Sequence, residues 1–106
     1  MTRQEVEADI IQTLKQIYDP EMPVNIYDMG LIYAIELLPN GEKWDATIVM
    51  TLTSPACPVA ESLYNNVVNL VSSTPALINT KVDLTFEPPW DWDMMSEDGK
   101  LVMNMH

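Results

Sequence analysis

The most reactive side chain in this protein is Cys57, its only cysteine. It sits in Thr53-Ser54-Pro55-Ala56-Cys57-Pro58, ahead of an apolar repeat with helical spacing. Proline suits the first position of a helix, where a missing N–H costs nothing, so Pro58 predicts Cys57 as the N-cap. Free backbone N–H groups and the positive end of the helix dipole at such a place favour thiolate over thiol. A thiolate attacks electrophiles and binds soft metals, iron in clusters among them. Thr51, Thr53 and Ser54 are near enough in sequence to hydrogen-bond the sulfur and tune it. The alternative reading is a buried cysteine that packs as a small hydrophobe.

A whole iron–sulfur cluster takes about four thiolate-type ligands. A lone cysteine therefore implies a transient or shared site, completed by a second subunit, a partner, or carboxylates such as Asp19 and Glu21. Those two acids read either as metal ligands or an acid–base pair, or as a turn-closing residue and a solvated one. Further along, Trp90 and Trp92 alternate with Asp91 and Asp93 after a Pro-Pro bend. Aromatic rings mixed with acids resemble a partner-binding edge; the plainer alternative for Trp90 is that it covers the core. Glu87 to Asp98 holds five acids and no base, so a protein docking there is expected to be basic.

Composition narrows the chemistry further. The 106 residues fit one domain spanning 1–106. Five Lys and Arg against sixteen Asp and Glu give a net charge of −11. That balance cannot build the basic face a nucleic acid needs, and it argues against anionic membrane surfaces. The single histidine is the last residue, His106, so Ser-His-Asp and Cys-His arrangements are missing from the body of the chain. The three glycines, Gly30, Gly41 and Gly99, stand too far apart to form either phosphate-cradling motif, GxGxxG or GxxxxGK(S/T). The start of the chain lacks a signal pattern and no apolar run reaches the roughly 18–20 residues of a membrane helix, so a cytoplasmic protein is expected. With no histidine and no resolving cysteine, a stand-alone thiol enzyme is not expected.

The elements that must position these residues follow from periodicity. Val6, Ile10, Leu14, Ile17 and Tyr18 predict an amphipathic helix over 4–18, with Thr2 and Glu5 as a capping box. Residues 19–30 read as an ordered loop that carries both acids and hydrophobes. Leu31 to Leu38 predicts a strand buried on both faces. Pro39-Asn40-Gly41-Glu42 is a hairpin turn, followed by an alternating strand from Trp44 to Leu52. A second helix is expected over about 58–72, buried through Val59, Leu63, Val67, Leu70 and Val71. A third strand runs from Thr80 to Phe86, and two prolines end it. Lys100 to Met105 fits a short strand or a frayed tail. This order predicts an α+β two-layer sandwich: two helices on a small mixed, mostly antiparallel sheet, rather than a doubly wound parallel fold.

Three stretches also coincide with family motifs. Asp19-Pro20-Glu21, Pro23-Val24-Asn25-Ile26 and Asp28-Met29-Gly30-Leu31-Ile32-Tyr33 form the first. Met50-Thr51-Leu52-Thr53 with Cys57-Pro58 forms the second, and Pro88-Pro89-Trp90 with Met94-Met95-Ser96-Glu97 the third. Together they resemble the SufT/PaaD-type iron–sulfur cluster assembly family over roughly Val6 to Met105. The resemblance implies an iron–sulfur assembly-type domain that acts as an accessory factor, not as an enzyme. It maps the family's reactive cysteine onto Cys57, its acidic loop onto Asp19 and Glu21, and its threonines onto Thr51 and Thr53. It implies iron or an iron–sulfur cluster held in transit, with assembly proteins and client apoproteins as partners; the single ligand cysteine, for its part, makes a homodimer with paired cysteines one way to complete the site. The extra C-terminal cysteines common in phenylacetate-pathway members are missing here, which favours the general assembly branch. A second reading remains open: a metal-free acidic adaptor that docks clients and scaffolds, including those of an iron-dependent oxygenase.

Overall fold

The computed structural model describes residues 1–19, 22–53 and 60–104. Its elements run α1 (Arg3–Leu14), β1 (Ile32–Asn40), β2 (Lys43–Met50), α2 (Ala60–Ser72), β3 (Leu77–Leu84), a 3-10 turn (Trp92–Met94) and α3 (Glu97–Asn104). This is an α+β architecture on a mixed sheet. Among the described residues no helix is long and apolar enough to cross a membrane.

Helix α1 starts where its sequence says. Thr2 accepts the Glu5 N–H, while the Glu5 carboxylate accepts the Thr2 N–H at 2.9 Å. The helix ends at Leu14, one turn earlier than its apolar spacing predicts. Gln16 and Ile17 close back in tight turns onto Thr13 and Leu14. The chain then extends, so that Ile26 N–H donates to the Ile17 carbonyl and Tyr18 pairs with Asn25. Tyr18 is consequently exposed rather than part of the buried stripe.

The sheet has the order β1-β2-β3. Strands β1 and β2 form the expected antiparallel hairpin, Asn40 opposite Lys43, with Gly41 at φ 64° in the tight turn. Strand β3 lies parallel to β2, so β2, α2 and β3 make a crossover unit. A parallel neighbour cannot be reached by a tight turn, and α2 supplies the long connection required. The sheet thus has one antiparallel and one parallel pair.

Helices α1 and α2 touch each other and cover one face of the sheet, α1 over β1 and α2 over β3. Ala46, Ile48 and Met50 of the central strand are buried, while Asp45, Thr47 and Val49 stay half-exposed on the open face. Val6, Ile10 and Leu14 meet Leu63, Val67 and Val71 in the core. Full burial of such a side chain contributes about 1.5–3 kcal/mol in transfer free energy. Leu70, expected in the stripe of α2, is exposed.

Strand β1 departs from its predicted double burial. It is an edge strand in which only Leu37 is buried and Leu38 is exposed. Hydrophobicity alone cannot distinguish an edge from a centre, because neighbours decide it. Strand β3 begins three residues earlier than predicted. A register shift between Trp44 and Asp45 skips Ile78, so that Leu77 and Val82 are both buried despite their odd spacing. The tail becomes a third helix, α3, where a strand or fraying was expected.

Candidate functional site

The three sequence motifs converge through residues 25–33. Asn25 and Asp28 hold each other: Asn25 Nδ2 donates to Asp28 Oδ2 at 2.7 Å, and the Asp28 N–H donates to Asn25 Oδ1 at 2.9 Å. The other carboxylate oxygen of Asp28 accepts from Ser96 Oγ at 2.8 Å. The Asp28 carbonyl accepts the Ser96 N–H, also at 2.8 Å. Ser96 in turn accepts the Gly99 N–H, which places it as the cap of α3.

Beside this network, Trp90 Nε1 donates to the Met29 carbonyl at 2.7 Å. Gly30 takes φ 81°, and its missing Cβ leaves room for the Met94 carbonyl. Tyr33 sits where β1 carries one residue more than β2, a bulge that re-aims its side chain. Its hydroxyl donates to the Pro88 carbonyl at 2.7 Å. The second motif joins from the other side, where the Thr51 N–H donates to the Leu31 carbonyl at 2.8 Å.

The predicted site residues divide accordingly. Cys57, Ser54 and Glu21 lie outside the described residues. Asp19 is buried at the end of the α1 turn, and its carbonyl accepts the Met22 N–H. Thr51 is fully buried, with its hydroxyl directed to the Leu52 carbonyl at 3.4 Å; Thr53 is exposed. Trp90 is half-buried against the core and Trp92 is 56 % exposed. The two rings lie 5.5 Å apart at 57°. The Asp91 carboxylate accepts the Asp93 N–H at 2.8 Å and starts the 3-10 turn, while Asp93 is exposed.

Asp28, Asn25 and Ser96 had no assigned role at the level of sequence. Two local signals pointed to them: an Asn and an Asp three residues apart in a turn, and a serine just ahead of two acids at a helix start. Their union across the fold had no local signal. Among the described residues no three His, Cys, Asp or Glu side chains are grouped to hold a metal ion.

Comparison with known proteins agrees with this architecture. The family model described as iron–sulfur cluster assembly protein matches residues 7–84. A protein of Porphyromonas gingivalis named Fe-S protein maturation auxiliary factor is 45 % identical over 92 % of this chain and 90 % of its own. The Staphylococcus aureus protein named Fe-S protein maturation auxiliary factor SufT is 32 % identical over 84 % of this chain and 98 % of its own. A crystal structure of a domain of unknown function, DUF59, from Bacillus anthracis superposes with a TM-score of 0.83 at 28 % identity, over 97 % of this chain and 95 % of that one.

Proposed function

The chain belongs to the iron–sulfur cluster assembly protein family, and from that premise we propose that it serves as an accessory factor in the maturation of iron–sulfur proteins, with Cys57 as the thiolate that holds iron or a cluster in transit. The observation that carries the accessory role is the 45 % identity, over nearly the whole chain, to a protein named as a maturation auxiliary factor. The relatives' names favour this role over that of a metal-free adaptor for an oxygenase.

In this reading the metal is cargo. One cysteine in the chain falls well short of the roughly four thiolates that retain a cluster. A site with so few strong donors releases what it holds, as a transfer step requires. The remaining ligands come from an assembly protein, a client apoprotein, a second copy of the chain, or the carboxylates of Asp19 and Glu21. Thr53 and Ser54 tune the sulfur by hydrogen bonding, whereas the buried Thr51 hydroxyl is directed to the Leu52 carbonyl. The factor works without turnover of its own, inside the cytoplasm, where thiols stay reduced.

Anaerobic reconstitution with ferrous iron and sulfide tests the role of Cys57, alone and with a cluster-loaded donor protein. The parent should acquire iron and cluster absorbance, and Cys57→Ser should not. If neither binds under either condition, Cys57 is not a ligand. Full client maturation by Cys57→Ser would restore the adaptor reading.

A further inference from the structure

We infer that the groove between the 3-10 turn and α3 docks a protein partner through an arginine-bearing apolar segment. The groove has a volume of about 410 Å³ and is lined by Trp92, Asp93, Met95, Lys100, Met103 and Asn104. Trp92 in the lining is 56 % exposed, and Leu101, next to Lys100 on α3, is 60 % exposed. An indole left in water over a groove lined by two methionines is the kind of apolar surface that marks an interaction site. Methionine adds a soft lining that accommodates varied shapes.

The surrounding charge selects the occupant. Asp93 lines the groove, and Glu87, Asp91, Glu97 and Asp98, all exposed, lie within a few residues of its lining in sequence, against Lys100 alone. Arginine fits this combination better than lysine does. Its planar guanidinium stacks on an indole face and forks onto a carboxylate, and it is the more weakly hydrated cation. Lys100 repels a cation from its own end of the groove, so the guanidinium sits between Trp92 and Asp93.

The groove is also rigidly mounted. Trp90 is tied to Met29, Ser96 to Asp28, and Met94 is seated against Gly30. A surface fixed before binding loses little freedom on association. The inference rests on the accessory-factor reading only in taking the occupant to be a protein, and it is independent of Cys57.

The test is an NMR titration of the full chain, labelled with nitrogen-15, with the peptide acetyl-Leu-Arg-Leu-Arg-Leu-amide. Shifts should concentrate at the Trp92 indole, Asp93 and α3. Lysine in place of arginine should weaken binding, and glutamate should abolish it. Trp92→Ala should lower affinity about tenfold or more, the effect of removing an aromatic anchor. Asp93→Asn should lower it several-fold, while Asp9→Asn, at an exposed position on α1, should leave it within about twofold because exposed distant charges are screened. Cys57→Ser should bind the peptide as the parent does, which separates this outcome from the role of the cysteine. Unchanged core amide shifts in Trp92→Ala exclude a folding defect. Equal binding of the glutamate peptide, shifts spread over the whole acidic surface, undiminished binding by Trp92→Ala, or no binding at millimolar peptide would each overturn the inference. Self-association of the chain that Trp92→Ala abolishes would overturn it too, by placing a second copy in the groove.

Discussion

Ser96 Oγ donates to Asp28 Oδ1 at 2.8 Å, across 68 positions of sequence. This bond joins the loop after α1 to the cap of α3. It makes Asp28 the residue that seats the C-terminal segment.

Asp28→Ala should therefore destabilise the protein by about 1–3 kcal/mol, since it strands hydrogen-bonding groups of Asn25 and Ser96 in a half-buried place. The loss should be local first. Amide exchange in α3 is expected to accelerate more than in α1 or β2. A double-mutant cycle with Ser96→Ala should return a coupling of about 1 kcal/mol or more, because the acceptor is a carboxylate. Additive single effects in urea melts would show that the bond contributes nothing.

Gly30 and Gly41 provide an internal comparison. Both have positive φ, at 81° and 64°, a conformation that costs a side chain about 1–2 kcal/mol. A Cβ on Gly41 meets open space, whereas one on Gly30 overlaps the Met94 carbonyl. Gly41→Ala should lower the urea midpoint modestly. Gly30→Ala should lower it much further and also release the 3-10 turn, visible as a change in Trp92 fluorescence.

The two tryptophans should respond differently to the same substitution. Trp90→Phe loses the bond to the Met29 carbonyl inside a packed site, at a cost of about 1 kcal/mol. Trp92→Phe changes an exposed ring and should stay within about 0.5 kcal/mol. Equal losses in thermal or urea unfolding would contradict the division of the pair into a packed anchor and an exposed ring.

Hydrogen bonds from the Thr2 N–H to its carboxylate, and the Thr2 side chain beside it, hold Glu5 below the usual glutamate range. A group whose pKa is lower folded than unfolded stabilises the fold above its unfolded value and loses that contribution as pH falls through its folded value. The stability difference between the parent and Glu5→Gln should therefore be largest near neutrality and shrink on acidification. A carboxyl titration by NMR should place the Glu5 midpoint below those of ordinary exposed glutamates. A gap that widens toward low pH would reverse the assignment.

The sequence by itself determined the local structure. The Thr2–Glu5 box, the Gly41 hairpin and the alternation of β2 depend on neighbours a few residues apart, and each was legible. So was the family, because its motifs are contiguous stretches. What required the tertiary structure is everything decided by distant neighbours. Strand β1 is as apolar as a central strand, yet it lies at an edge because β3 pairs with β2 on the other side. The parallel pairing itself depends on where α2 packs, which no single strand encodes. Asp28 and Ser96 carry no assigned role in sequence until the fold brings them to 2.8 Å. The same packing separates Trp90 from Trp92. Their sequence context is similar, and the bond to the Met29 carbonyl draws one ring against the core while the other stays exposed.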